Sequence, residues 1–422
     1  MKNSGKFIRW YYALFALYAV AVGFYLWYAS ANTVPDIYKG TPADPATFMS
    51  AEELRASETY SAQRNWIFFV SYPWIWGVYL VLLFGGFASR WERMLERKKL
   101  PFAARIAVIA VFVSAIAFVA RLPLGYTSYM LSRSNGISTQ PFAGWMRDRL
   151  VATGIDTLVT LLVAIVAFWF IRRGGRWWLK LWLLSIPFTL FMMYIQPVVI
   201  DPLYNQFSRL SDPVLEQKIM ELGSEAGIPA ERVYEVDMSA KTNALNAYVD
   251  GIGSSLRIVI WDTTLKRLNE EEILQIVAHE IGHYVMRHLE WSALGAVGAS
   301  LVMLWLGSYV LKLAIRRWGG RCGIHQPGQA AVLPLVLLLM SVLTFVSLPF
   351  SNAVSRQAES AADRYAMELV GHAGGAVSMQ QKLSKATLDE VDPPLIVKWF
   401  RSSHPSALER IADAQAFDTA QK

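Results

Sequence analysis

The chain has 422 residues, 54% of them hydrophobic and only 17% charged, against roughly 25% charged in soluble domains. With 16 Trp, 18 Tyr and 21 Phe, this composition excludes an ordinary soluble globular protein. The net charge of +7 does not signal a nucleic-acid partner, because Lys and Arg cluster beside apolar segments, where positive-inside signals sit, and the single cysteine, Cys322, excludes an intrachain disulfide and a cysteine-based metal site.

About seven stretches are apolar over the roughly 20 residues that cross a bilayer: 10–30, 66–88, 104–124, 151–171, 177–200, 291–313 and 330–352. Trp10, Tyr11, Tyr12, Trp66, Trp177 and Trp178 stand at their ends as interface anchors. The first stretch follows Lys2, Lys6 and Arg9 and ends near Ala29-Ser30-Ala31, so it has features of a signal peptide. Its apolar run exceeds the usual 7–15 residues of such a segment, and a retained helix is expected. Asp156 falls in the first turn of the fourth stretch, near the interface, where a charge is tolerable without a function.

Four regions follow: a membrane part with five spans (1–200), a polar block (201–289), two further spans (290–352) and a second polar block (353–422). In the first polar block, Val214–Glu225 has helical spacing, and Arg232–Ser239 and Arg257–Trp261 read as strands rich in Val, Ile and Tyr. A helix is predicted from Asn269, as N-cap with Glu272 closing a capping box, to about Leu289.

That helix carries His279-Glu280-Ile281-Gly282-His283. Residues i and i+4 share one helix face, so His279 and His283 can bind one zinc ion, with Glu280 reaching water on its open side. Ile273, Ile276, Val277, Ile281 and Val285 are available for packing. Gly282 costs the helix about 1 kcal/mol, which points to close approach by another backbone. A catalytic zinc needs a third protein ligand. His288, five residues past His283, is about 140° round a continuous helix and faces away. His325, His372 and His404 have no supporting pattern. Glu359, in Glu359-Ser360-Ala361-Ala362-Asp363, is a candidate ligand, and Asp363, one turn on, can fix a ligand histidine's tautomer. A solvated acidic face beside Arg356 and Arg364 is the alternative.

Flanking charge gives an orientation. The loop 31–65 has three basic and five acidic residues, 89–105 has six and two, 172–180 has four and none, and 201–289 has eight and fourteen. The positive-inside rule then puts the N-terminus in the cytoplasm and both polar blocks outside. The loop 121–150, with four basic residues and one acidic, breaks the alternation.

Taken together, the chain resembles the M48 metallopeptidases, most closely their integral-membrane Ste24-type CAAX prenyl protease branch. Besides the two motifs above, the resemblance rests on Asn246-Ala247-Tyr248 followed by Gly251, on 257–263, on Asp201-Pro202-Leu203-Tyr204-Asn205, and on His404-Pro405-Ser406 with Glu409-Arg410-Ile411. It implies a mainly α polytopic membrane protein, with about seven transmembrane helices around a water-filled chamber and a zincin-like α+β metallopeptidase domain capping one side. It implies one Zn²⁺ held by His279, His283 and Glu359, with Glu280 as general base and Asp363 behind a ligand histidine. It also implies an edge strand at Asn246, Ala247 and Tyr248 that receives substrate as an added strand, and His404 and Arg410 steadying the oxyanion. The implied activity is zinc-dependent endoproteolysis of a peptide or protein, prenylated at its C-terminal tail or, alternatively, a membrane protein under quality control without prenyl dependence. A membrane scaffold with a structural metal would lack a base or a third ligand, and both are present. In this family the catalytic domain is expected on the cytosolic side, opposite to the side that the charge pattern indicates.

Overall fold

The computed structural model describes residues 2–29, 34–228, 232–250 and 257–420. In chain order the helices of the membrane part are α1 (Lys2–Tyr28), α2 (Ala51–Phe84), α3 (Phe87–Arg97), α4 (Phe102–Ser134), α5 (Phe142–Arg173) and α6 (Trp177–Ile195). The first polar block holds β1 (Phe207–Arg209), α7 (Pro213–Glu225), β2 (Val233–Val236), β3 (Ala247–Asp250), β4 (Arg257–Trp261), α8 (Asp262–Arg267) and α9 (Glu270–Val285). Then follow α10 (His288–Cys322), α11 (Leu333–Val370), α12 (Gly374–Thr387), α13 (Leu395–Phe400) and α14 (Ala407–Ala420). Among the described residues seven helical segments are long and apolar enough to cross a membrane: α1, α2, α4, α5, α6 with the turns that follow it, α10 and α11. These match the seven expected stretches, although most run well past the predicted ends. Ser30, Ala31 and Gly251, singled out above, lie outside the described residues.

α1 is held along α2 by hydrogen bonds from Tyr11 Oη to the Pro73 carbonyl (2.6 Å) and from Trp66 Nε1 to the Ala19 carbonyl (2.9 Å). The membrane helices surround open space as well as a packed core. A cavity of about 690 Å³ is lined by Tyr79, Arg121, Arg149, Asp156, Tyr204 and Ser341, among others. Asp156, expected in a first turn, instead lies midway along α5 and lines this cavity together with Arg121 and Arg149, where a charge in a membrane segment is tolerable. At one end of the bundle, Glu92 accepts from the backbone amides of Ala330 (2.8 Å) and Ala331 (3.0 Å), satisfying donors of the 3-10 turn that leads into α11.

Two features of the long helices depart from the expected boundaries. α11 does not break where apolar residues give way to polar ones near 352. It runs 38 residues, about 57 Å, enough to cross a ~30 Å hydrocarbon core and continue for about five turns. By contrast, the helix predicted to reach Leu289 stops at Val285. Met286 caps it, Arg287 lies in the left-handed region (φ 56°, ψ 38°), and α10 starts afresh at His288. A left-handed non-glycine residue costs roughly 1–2 kcal/mol, and no glycine or proline in Tyr284–Leu289 announces such a turn. Val285, expected to pack, is consequently exposed at the turn.

The sheet has the order β1-β2-β4-β3. β2 and β4 are parallel (Val233 opposite Ile258), and β3 is antiparallel to β4 (Ala247 opposite Ile260). β2 is shorter than the predicted 232–239 because the Met238 and Ser239 amides donate to Asp262 Oδ1 (2.9 and 2.8 Å) rather than to a neighbouring strand. β4 has the predicted bounds, while Asp262 opens α8. α7 starts one residue before the predicted Val214 and ends at the predicted Glu225, capped by Asp212, whose carboxylate accepts from the Val214 and Leu215 amides. Ile258 and Ile260 meet Ile219, Ile273, Ile276, Val277 and Ile281 in one buried core, so the apolar face of α9 rests on the sheet and its histidine face turns toward α11.

Candidate metal centre

α9 begins with the predicted capping box: the Asn269 side chain accepts from the Glu272 amide (2.9 Å), and Glu272 accepts from the Asn269 amide (2.8 Å). This fixes the helix register from which His279 and His283 project. α11 runs against it, and the contact is close because Gly282 has no side chain. A Cβ there would lie 3.1 Å from Tyr365 Cδ1 and 3.3 Å from Ala362 Cα.

The approach brings three donors together. His279 Nε2 and His283 Nε2 are 3.1 Å apart. Glu359 Oε2 is 3.2 Å from His279 Nε2, and Glu359 Oε1 is 3.5 Å from His283 Nε2. Ligands about 2.0–2.1 Å from a tetrahedral zinc are about 3.3 Å from one another, so these approaches fit a zinc ion held by the two Nε2 atoms and the Glu359 carboxylate. Glu359 Oε2 is buried with only ring nitrogens close to it, His279 Nε2 at 3.2 Å and His404 Nε2 at 3.3 Å, and a buried carboxylate is costly unless a cation or a proton donor satisfies it. His279, His283 and Glu359 are the one such cluster among the described residues.

Behind the triad, His279 Nδ1 lies 2.9 Å from Asp363 Oδ1. Burial lowers the affinity of His279 for a proton, but hydrogen bonds to Asp363 and Glu359 outweigh it and push its pKa up to about 9. A metal ion competes with that proton for Nε2, so binding releases it. Burial pushes Glu280 up, partly offset by His279 and His283. Arg410, expected beside a developing oxyanion, lines the cleft and is engaged behind the ligands. Its Nε donates to Asp363 Oδ2 at 2.7 Å, with a second bond from Nη2 to Oδ1. The Gln380 amide, turned with its oxygen inward, accepts from Arg410 Nη1 at 3.2 Å. His404 stands at the rim, its Nε2 3.3 Å from Glu359 Oε2.

The site opens on a cleft of about 410 Å³ whose lining includes Asn246, His279, Glu280, His404 and Arg410. Its far wall comes from α2 and the α12–α13 connection: Asn65 and Glu390 are hydrogen-bonded (3.3 Å), and Arg401 donates to Asn65. These wall residues carry no local pattern, and only the tertiary fold joins them to the motif. Asn246 is exposed at the start of β3, an end strand of the sheet among the described residues. Its carbonyl accepts from the Trp261 amide (3.1 Å). Ala247 is buried, whereas Tyr248 is half-buried.

His288 does not face away. The turn at Met286–Arg287 swings it back, and its Nδ1 lies 2.9 Å from His283 Nδ1. The 140° expectation assumes a continuous helix, and the helix is not continuous there. Of the remaining histidines, His372 pairs with Glu271 at 3.3 Å and is not in the ligand cluster.

Residues 209–418 match Peptidase family M48, and residues 34–206 match the CAAX prenyl protease N-terminal family with five membrane helices. A Bacillus subtilis protein described as an uncharacterized metalloprotease, YhfN, is 43% identical over 417 residues, covering 98% of each chain. A CAAX prenyl protease 1 homolog of Arabidopsis thaliana is 27% identical over 385 residues, covering 88% of this chain and 90% of its own. The crystal structure of S. mikatae Ste24p has the same fold, with a TM-score of 0.80 at 19% identity over 96% of this chain and 97% of the other. The chain belongs to peptidase family M48, as a multi-pass membrane metalloendopeptidase of the Ste24 type.

Proposed function

We propose that the chain hydrolyses peptide bonds with a zinc ion held by His279, His283 and Glu359, and with Glu280 as general base. The observation that carries this is that His279 Nε2 and His283 Nε2 lie 3.1 Å apart and face the two oxygens of the Glu359 carboxylate at 3.2 and 3.5 Å, on the wall of a cleft that Glu280 also lines. When bound there, zinc supplies Lewis acidity that lowers the pKa of water toward about 7. Glu280 removes a proton from the attacking water and delivers it to the leaving amine. Asp363 orients His279 through Nδ1, and Arg410 acts through Asp363, balancing its charge. His404, at the cleft rim, is placed to donate to the carbonyl oxygen under attack.

The peptide enters extended beside Asn246, Ala247 and Tyr248, adding a strand to the sheet end at β3. Relatives named CAAX prenyl protease support a prenylated C-terminal tail as substrate. The description of the 43% identical relative states a metalloprotease without a substrate, which leaves membrane-protein quality control as the second reading.

The test is Glu280→Gln. Zinc content stays at one per chain, while cleavage falls by about 10²–10⁴-fold. Full activity in that variant refutes the assignment of the base. A chelator abolishes cleavage by the wild-type chain, and added zinc restores it. A farnesylated and an unmodified peptide of one sequence separate the substrate readings: equal rates remove the prenyl dependence.

A further inference from the structure

We propose that His288 is a positioning residue for the metal, accepting a hydrogen bond from His283 and thereby fixing the tautomer and aim of that ligand. This rests on the reading of His283 as a zinc ligand. His283 presents Nε2 to His279 and Glu359. A nitrogen that ligates metal offers its lone pair, so the ring proton of His283 is on Nδ1. That Nδ1 is 2.9 Å from His288 Nδ1, and the two rings cross at 70° with centroids 4.9 Å apart. A hydrogen bond between two ring nitrogens needs one donor and one acceptor. With His283 donating, His288 accepts through a bare Nδ1 and carries its own proton on Nε2.

Ligand histidines almost always donate their second N–H to an outer partner, and loss of that partner weakens metal binding. His279 has such a partner in Asp363. Among the described residues His288 is the one group within hydrogen-bond distance of His283 Nδ1, and a left-handed backbone at Arg287 is what returns it there. The two ligands are therefore backed differently. Asp363 brings a charge that Arg410 balances, whereas His288 brings an acceptor without a charge.

The experiment uses the full chain in detergent as wild type, His288→Ala and His288→Asn, the last keeping an acceptor near the Nδ1 position. Zinc affinity is measured by competition with a chromophoric chelator, and thermal unfolding is measured on the metal-free proteins. His288→Ala is expected to weaken zinc binding about 10–100-fold. His288→Asn is expected to recover most of that loss, with equal metal-free melting temperatures for all three. Wild-type affinity in His288→Ala overturns the proposal, as does a His288→Asn variant no tighter than His288→Ala. If His288→Ala does not fold, His288→Leu, bulky and without an acceptor, takes its place under the same criteria. A wild-type chain that binds no zinc refutes the metal reading instead, which keeps the two failures distinct.

Discussion

Gly282→Ala tests whether the close approach of α9 and α11 sets the metal geometry. In an isolated helix the substitution is favourable, since glycine is about 0.8–1 kcal/mol worse than alanine. In this structure the added Cβ meets Tyr365 Cδ1 at 3.1 Å and Ala362 Cα at 3.3 Å. The tyrosine ring can rotate away, but Ala362 is a fully buried backbone position, so the helices must separate by a few tenths of an ångström. Overpacking of this kind costs about 1–3 kcal/mol, which leaves a net loss of about 0–2 kcal/mol. The larger effect falls on the metal. His279 and His283 ride on α9 and Glu359 on α11, so separation stretches the two histidine–glutamate distances, one of which is already 3.5 Å, past the ~3.3 Å tetrahedral edge. The expected result is a small change in metal-free melting temperature together with roughly tenfold weaker zinc binding by chelator competition, a loss of about 1.4 kcal/mol. A variant that melts higher and binds zinc as tightly as wild type refutes the reasoning, because the helices would then not be limited by contact at Gly282.

Asp363→Ala leaves the buried Arg410 guanidinium without its carboxylate and is expected to destabilise the chain by about 3–5 kcal/mol, whereas Asp363→Leu with Arg410→Met costs less because both charges leave together; thermal unfolding compares them, and equal losses would show that the pair is not coupled. Glu390 is pushed up to about 7, by burial and by Asp389 against the opposing pull of Arg401. The folded state therefore holds this proton more tightly than the unfolded one, and its contribution to stability is present below pH about 4.5 and is lost as pH rises through about 7. Glu390→Gln should flatten that part of the stability profile, and an unchanged slope would refute the assignment. Ser224→Cys places a thiol on an exposed face of α7, while the native Cys322 is buried. The charge pattern predicts labelling of Ser224→Cys by an impermeant maleimide from outside intact cells, and labelling only after permeabilisation would overturn it.

Much of the site was legible because its information is local. A helix face turns His279 and His283 the same way, and Asn269 with Glu272 marks where that helix begins. The same logic offers Glu359 and Asp363, one turn apart, as candidates that only the family resemblance separates from a solvated acidic face, and Gly282 points to a neighbouring backbone. His288 was misread for an equally local reason. Its placement depends on a non-glycine residue, Arg287, adopting a left-handed backbone, and neighbouring residues do not encode that strain visibly. The boundary drawn at 352–353 follows a real change from apolar to polar residues. Backbone hydrogen bonding is indifferent to that change, however, and α11 continues through it. The role of Arg410 and the cleft wall at Asn65, Glu390 and Arg401 depend on partners 47 residues distant in one case and more than 300 in the other, which no local pattern reveals.

The loops also constrain topology. Residues 136–139 join the first polar block through Thr139 N to the Lys241 carbonyl (3.1 Å) and Asn243 Nδ2 to the Gly136 carbonyl (2.7 Å). Ser57 and Ser61 of α2 donate to the Asp389 and Leu388 carbonyls of the second block. The flanks around 34–65 and 121–150 thus share a side with both polar blocks. Glu92, by contrast, binds Ala330 and Ala331, which gathers 85–101 and 323–332 at the opposite end. This grouping is the one that seven crossings require, and it explains how two halves of a metal site can be separated in sequence by membrane helices. α10 leaves the catalytic side from a start at His288, the loop at 323–332 is clamped by Glu92, and α11 returns to deliver Glu359 and Asp363. An even number of crossings between His283 and Glu359 is therefore a condition for these residues to meet on one side. The basic loop 121–150, which breaks the charge alternation, lies on the catalytic side by direct contact, so it counts against the side that the other loops indicate. Because these contacts tie the loops to one another, labelling a single loop from one face of the membrane assigns the side of every other loop in the molecule.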